Sequence, residues 1–193
     1  MIIFPTFIIL VTVLGAFLPL PIVLIIVGTI LYFHCKFLLY AITLGIPTLI
    51  LLTCWKVYSY QKVSRGVLCV LYGALPLACS VVFAMHNVGL QAALFTGFWF
   101  VSPLLFYLGF IKRSIIWASV AHSFIMHAVG SVLWLYSVPT TPGFWYGLIP
   151  LVILERLVIA CAMVITYLGI QYIMKNFKLF KFAAILYKAL YTD

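Results

Sequence analysis

Two adjacent charged residues, Glu155 and Arg156, interrupt the apolar stretch GLIPLVILERLVIACAMVITY, which covers residues 147–167. Ionisable side chains in such a setting are costly and commonly serve ligand, ion or partner binding. Neighbouring positions on a helix point about 100° apart, so the two side chains are poorly placed to pair with each other. The sequence therefore predicts that each finds a partner on another helix, either in a ligand site or in a network that fixes helix packing.

A second polar group precedes this pair in WASVAHSFIMHAVGSVLWLY, which covers residues 117–136. His127 and Ser131 share one helical face with small residues, which permit close helix approach, and with Trp134, which offers an aromatic wall. The connection to the next apolar segment is short, so His127, Glu155 and Arg156 are expected to converge at similar depth. The predicted ligand-binding residues are His122, His127, Ser131, Trp134, Glu155 and Arg156.

Several kinds of chemistry are disfavoured by the same residues. His122 and His127 are five positions apart, not the three or four that place two metal ligands on one helical face. The chain contains only two acidic residues, Glu155 and Asp193, so a carboxylate dyad has no second member within the apolar region. No nucleophile elbow, zinc-protease motif or phosphate loop is present. The sequence therefore predicts no catalytic residue, no metal and no cofactor, and an intramembrane enzyme with His and Glu as acid and base is the third possibility.

The composition predicts the elements that must position these residues. Hydrophobic residues make up 67% of the 193 positions and charged residues 7%, against about 25% charged in soluble domains. The apolar stretches are continuous and do not alternate as barrel strands do. The expected fold class is all-α: a polytopic transmembrane helical bundle of about six helices, forming a single domain over residues 1–174.

We divide the chain at its charges, prolines and glycines. The predicted apolar segments are 2–33, 37–55, 66–86, 90–111, 114–138 and 144–174. The first is too long for one straight crossing of a bilayer core of about 30 Å, and Pro19 and Pro21 could divide it into a hairpin, giving seven crossings. Six are favoured, because half-segments of about 15 residues are short for a crossing.

The basic residues predict an orientation. Nine of the eleven lie in three places: 56–65, 112–113 and 175–188. All three can be cytoplasmic at once, as the positive-inside rule requires, although Lys36 then lies outside. The net charge of +9 is therefore a topology signal, and no nucleic acid is expected as a partner. Residues 175–193 read as a basic amphipathic cytoplasmic tail, which lies on the membrane or docks on a partner protein.

The stretch HAVGSVLWLYSVPTTPGFWYGLIPLVILERLVIA, residues 127–160, resembles the end of the substrate-binding (S) components of energy-coupling factor transporters. The length of the chain, the six predicted helices and the polar groups in the outer half of the last helices are similar to that family as well. The resemblance implies nutrient or vitamin uptake in a prokaryotic cytoplasmic membrane, beside other membrane subunits of a transporter complex. It also implies that Arg156 holds a carboxylate or phosphate of a small polar substrate and Glu155 a donor or a cation.

Two main functional hypotheses follow. The first is a membrane-embedded small-molecule binding or transport subunit, in contact with the lipid bilayer and a small polar substrate. The second is a structural or assembly membrane protein whose polar residues bind partner helices. An outward-facing cavity at His127 and Glu155 favours the first, and a tightly packed Glu155–Arg156 network favours the second.

Overall fold

A computed structural model describes residue 10 and residues 12–34, 38–59, 64–111 and 114–176. These residues are helical apart from short turns, and no strand occurs among them. The expectation of an all-α fold is therefore confirmed. Residues 2–9 of the first predicted segment, the basic positions 36, 62, 112 and 113, and the tail from residue 177 onward lie outside the described residues.

Seven α-helices and one 3-10 helix can be followed along the described chain. They are α1 (Leu20–His34), α2 (Leu38–Ser59), α3 (Arg65–Ala84), α4 (Asn87–Gln91), the 3-10 helix Ala93–Phe100, α5 (Val101–Ile111), α6 (Ile115–Ser137) and α7 (Pro142–Asn176). The prolines coincide with the helix boundaries only in part. Pro142 opens α7, where its missing N–H costs nothing, whereas Pro47 and Pro150 lie inside helices.

Three of these helices are long and apolar enough to cross a membrane by length and composition: α3, α6 and α7, with 20, 23 and 35 residues. They fit an integral membrane protein. At about 1.5 Å per residue, α7 extends for about 52 Å, well beyond a hydrocarbon core of about 30 Å.

Helix α6 lies at the centre of the described bundle and contacts five other elements: α2, α3, the 3-10 helix, α5 and α7. Side-chain contacts with four of them are Trp55–His122, Tyr72–His122, Phe98–Phe124 and Ser123–Arg156, and Phe106 of α5 packs in one cluster with Ala121 and Ile125. The Tyr136 hydroxyl also donates to the Val82 carbonyl at 2.8 Å. Since Tyr72 meets His122 and Val82 meets Tyr136, α3 and α6 run in the same direction. The central position explains why α6 has a long run of buried residues between Ala118 and Leu135.

The first predicted segment is broken at residues 15–19, where the chain turns before α1 begins at Leu20. The Lys56 ammonium, near the end of α2, donates to the Leu18 carbonyl. Val23 and Val27 of α1 then pack against Leu52 of α2. The turn therefore lies at the Lys56 end of α2, and α1 runs back along α2 from there.

Two local departures from the α-helix are not evident from the apolar pattern. Residues Val70–Ala74 within α3 form a π-helical turn, a rare feature that often occurs at functional sites. Residues Ala93–Phe100 form a 3-10 helix before α5, whereas one continuous segment over 90–111 is predicted from sequence. Both departures rotate aromatic side chains toward α6, as the contacts of Tyr72 and Phe98 show.

Candidate functional site

Glu155 and Arg156 form an ion pair with each other, with 2.8 Å between Glu155 Oε1 and Arg156 Nη2. The expectation that each would find its partner on another helix is therefore wrong for this contact. The flexibility of the two long side chains overcomes the angle of about 100° between their positions. The two differ in burial: the Arg156 side chain is 6% exposed and the Glu155 side chain 53%. Arg156 is thus directed into the bundle, and Glu155 lies at its surface.

Arg156 is joined to α6 through its backbone. The Ser123 hydroxyl donates to the Arg156 carbonyl at 3.0 Å, and Ser123 is fully buried. The two helices are linked by only residues 138–141, which brings them side by side as expected. This contact fixes the depth at which Arg156 meets α6.

His127 lies on the same side of α6, in an aromatic surround. Its ring centroid lies 5.7 Å from that of Phe95, 6.0 Å from that of Phe98 and 6.5 Å from that of Trp99. Its Nε2 is 3.3 Å from the Ser131 hydroxyl, one helical turn away. We call His127, Arg156 and these three aromatic residues the His127 cluster. The Ser123 hydroxyl that bonds the Arg156 carbonyl lies one helical turn before His127 on α6, so His127 and Arg156 occupy neighbouring positions on the two helices, whereas Glu155 lies at the bundle surface.

Two hydrogen-bond donors of the His127 cluster lack a partner among the described residues. They are Arg156 Nε and Trp99 Nε1, and both atoms are fully buried. A buried donor without an acceptor costs about 1–3 kcal/mol, and more when it is charged. Each of these donors is suited to an acceptor oxygen, such as that of a carboxylate or a phosphate.

The other predicted site residues are placed differently. Ser131 is buried beside His127, whereas Trp134 is 39% exposed. Phe95, Phe98 and Trp99 surround His127 instead, and sequence reasoning missed them. Their spacing in ALFTGFWF, at i, i+3 and i+4, is the signal that indicates a shared helical face.

His122 belongs to a separate cluster. It is fully buried, and its Nε2 lies 2.8 Å from the Tyr72 hydroxyl on the π-helical turn of α3. The Trp55 ring packs edge to face against the His122 ring, with centroids 4.9 Å apart. The Tyr58 ring packs against His122 in the same way, with centroids 6.2 Å apart. We call His122, Tyr72, Trp55 and Tyr58 the His122 cluster. Because five residues separate them on α6, His122 and His127 point to different helices. His122 contacts α2 and α3, and the structure does not bring it together with Arg156.

A surface cleft of about 300 Å³ lies where α6 ends, lined by His86 and residues 135–140. His86 caps α4, because its Nδ1 accepts the Val88 N–H at 3.2 Å. The Thr140 hydroxyl accepts from Trp145 Nε1 at 3.0 Å, and the Trp145 ring lies 4.9 Å from Phe95. Trp145 and Phe95 therefore separate this cleft from His127. The lining of the cleft includes neither His127 nor Glu155.

Among the described residues, no three His, Cys, Asp or Glu side chains lie together as a metal site requires. Glu155 pairs with Arg156, and His127 with Ser131, so neither contact is the His–Glu pair of the acid–base hypothesis. Comparison with protein-family models, with curated proteins and with solved structures finds no match.

Proposed function

We propose that this protein is a membrane-embedded binding subunit for a small polar molecule that carries a carboxylate or a phosphate, of the kind used in nutrient or vitamin uptake. The observation that supports this most directly is that two buried donors lack a partner among the described residues: Arg156 Nε, and Trp99 Nε1, whose ring lies 6.5 Å from that of His127. A cationic guanidinium held inside an apolar bundle is retained at a cost, and binding of an anion offsets that cost.

The proposed ligand contacts follow from this geometry. Arg156 binds the anionic group, His127 adds a hydrogen bond, and the rings of Phe95 and Phe98 pack against the rest of the ligand. Glu155, at the bundle surface, partly neutralises Arg156 and keeps the empty site tolerable in lipid. Ser131 orients His127. In this proposal His122 and Trp134 have no direct contact with the ligand.

We further propose six membrane crossings: α1, α2, α3, the 3-10 helix with α5, α6 and α7. The turn at residues 15–19, next to Lys56, then lies on the cytoplasmic side. Helix α1 is the first crossing, although its 15 residues are few for a hydrocarbon core of about 30 Å. The cleft at His86 opens to the outside, and the C-terminus lies in the cytoplasm of a prokaryote. This orientation keeps nine of the eleven basic residues inside and Lys36 outside, as predicted from the charges. Energy coupling is assigned to other membrane subunits of a transporter complex.

The second candidate function is a structural or assembly membrane protein, and the exposure of Glu155 favours it. A carboxylate that is half exposed on the lipid-facing side of α7 is suited to contact with a partner helix. Under this hypothesis Arg156 and His127 are packing residues, and no small molecule binds between them.

Native mass spectrometry of the protein released from mild detergent micelles tests the proposal. The wild type is expected to carry a bound small anion, and Arg156→Ala is expected to lose it. Arg65→Ala is the matched control, because Arg65 is an exposed arginine at the start of α3. The control removes the same charge and is expected to keep the ligand.

Other outcomes contradict the proposal. A ligand-free wild type whose Arg156→Ala variant only unfolds more readily, or loses a co-purified protein, supports the assembly function. A ligand that is retained by Arg156→Ala places the binding site elsewhere, with the His86 cleft as the next site to test.

A further inference from the structure

Glu155 lies far from both ends of α7, and the bundle surface around it is apolar. At about 1.5 Å per residue it is about 20 Å along the helix axis from Pro142 and about 32 Å from Asn176. Leu151 and Val158, one helical turn away on either side, are 59% and 60% exposed, and the Glu155 side chain is 53% exposed. In a bilayer, hydrocarbon rather than water therefore surrounds the exposed part of this carboxyl group.

One cation stabilises the negative charge of Glu155. In the described part of the chain its only ion pair is the 2.8 Å contact with Arg156. A carboxylate in apolar surroundings stays ionised when it is paired, whereas an unpaired carboxylate is so costly that the group becomes neutral instead. The charge of Glu155 therefore depends on whether the Arg156 guanidinium is available to it.

The other titratable groups near this pair have different partners or lie elsewhere. On α6, His127 is near Ser131 and His122 bonds to Tyr72. The 3-10 helix, α4 and the turn at residues 15–19 contain no titratable side chain, and α7 has none besides Arg156 within one helical turn of Glu155. Helix α2 packs on α7 farther along, at Met163. The titratable side chains of α2 near that contact are those of Cys54, Lys56 and Tyr58.

We propose that Glu155 is a proton-binding site controlled by Arg156. The carboxylate is ionised while it pairs with the guanidinium, and it takes one proton from the aqueous phase when a singly charged anion occupies Arg156 instead. The guanidinium keeps its charge, so the site is neutral in both states. Each bound anion is thus accompanied by one proton, a consequence that rests on the proposed function. An anion that entered alone would leave an uncompensated negative charge inside the bilayer.

Reaction with dicyclohexylcarbodiimide tests the control by Arg156 without any ligand. This reagent partitions into lipid and modifies carboxyl groups in their protonated form. The protein is dialysed at mildly alkaline pH until native mass spectra show no ligand, and is then reconstituted in liposomes. Arg156→Gln removes the cation, so modification of Glu155, located by peptide mass spectrometry, is expected to be severalfold faster than in the wild type. Arg156→Lys keeps a cation and should react as slowly as the wild type.

Arg65→Gln is the matched control, because it removes an exposed arginine from the start of α3 and should leave the reaction of Glu155 unchanged. Equal modification of Glu155 in the wild type and Arg156→Gln overturns the proposal. Absence of modification in both overturns it as well, and is the result expected if a partner helix covers Glu155. Fast modification in Arg156→Lys would mean that the positive charge is not what controls the proton.

The pH dependence of ligand retention tests the accompanying proton and does not require Arg156 to be changed. In native mass spectra the apparent affinity of the wild type for its anion is expected to fall as pH rises, by up to about tenfold per pH unit, the limit for one proton per anion. Glu155→Gln is neutral at every pH and is expected to lose this dependence. A dependence that persists in Glu155→Gln places the proton on His127 or on the ligand and overturns the proposal.

Failure of this inference and failure of the proposed function give different results. A bound anion together with Glu155 modification that does not follow Arg156 overturns the proton site and leaves the binding function in place. Modification that follows Arg156 in a protein that never carries an anion supports the proton site and contradicts the binding function.

Discussion

The two histidines of the central helix differ in what surrounds them, although only five residues separate them. His122 is fully buried, with a 2.8 Å hydrogen bond to Tyr72 from another helix. His127 is less completely buried, and its 3.3 Å contact is to Ser131 on its own helix. The first histidine joins two helices by a hydrogen bond, whereas the hydrogen bond of the second stays within one helix and its contacts with the 3-10 helix are those of ring packing.

The difference separates a structural role from a binding role within one helix. A buried polar group that satisfies its neighbour stabilises the fold, and its removal leaves that neighbour without a partner. Buried polar atoms without a partner occur in both clusters, Trp55 Nε1 and His122 Nδ1 in one and Trp99 Nε1 in the other, so the hydrogen bond between helices is what marks His122 as structural. Substitution of His122 should therefore lower stability and leave ligand binding intact, whereas substitution of His127 should lower ligand binding and leave stability nearly unchanged.

The largest expected effect is that of His122→Ala. It creates a cavity at a fully buried position and removes the side-chain hydrogen-bond partner of the Tyr72 hydroxyl, which also donates to the Cys54 carbonyl at 3.4 Å. We expect a loss of about 3 kcal/mol in the free energy of unfolding, measured by SDS titration of the protein in mixed micelles. Replacement of Ser64, the exposed cap of α3, by Gly is the control and should cost only a few tenths of a kcal/mol. A His122→Ala protein as stable as the wild type would contradict the structural role of His122.

The next effect concerns the end of the bundle near the His86 cleft. A Cβ on Gly89 would clash with the Phe83 carbonyl group and lie 2.9 Å from Leu135 Cδ2. Gly89→Ala is therefore expected to cost about 2 kcal/mol in the same titration, since backbone atoms cannot move aside cheaply. Gly97→Ala, at a glycine with open space, should change stability by less than about 0.5 kcal/mol. Equal behaviour of the two variants would contradict the close approach of α4 to α3.

A double-mutant cycle sharpens the interpretation of the His122 cluster. Tyr72→Phe removes only the hydroxyl and is expected to cost about 1.5 kcal/mol, because it leaves His122 Nε2 buried without a partner. In the double variant Tyr72→Phe/His122→Phe, the loss in the free energy of unfolding should be smaller than the sum of the two single losses by at least about 0.5 kcal/mol. Additive costs would mean that the hydrogen bond does not connect the two helices energetically.

Much of this fold was predictable from the sequence, because helix formation follows from composition. The apolar runs predict the helices and their approximate bounds, and the short connection between α6 and α7 predicts that Arg156 and His127 converge. The π-helical turn at Tyr72 was not predictable in this way. It depends on tertiary contacts, and its residues, VLYGA, fit an ordinary α-helix equally well.

The Glu155–Arg156 contact shows another limit of pattern reasoning. The angle between neighbouring positions describes where side chains leave the helix, but long side chains can bend back toward each other. Their reach lets a sequence-adjacent pair form in apolar surroundings, where an isolated charge is costly. The resemblance to the S components implied that Glu155 and Arg156 both bind the ligand. In the structure Arg156 points into the bundle, whereas Glu155 is half exposed.

The smallest expected effect on stability is that of His127→Leu, and it is the most informative about function. Leucine fits among Phe95, Phe98 and Trp99, and the hydrogen bond that is lost lies within one helix. We expect a change below about 1 kcal/mol in the free energy of unfolding, but a clear loss of the bound anion in native mass spectra. His122→Phe should show the reverse: lower stability, with the ligand retained in whatever fraction stays folded. If His127→Leu destabilises the protein as much as His122→Ala and no ligand is detected, both histidines act in packing, and the assembly function is favoured.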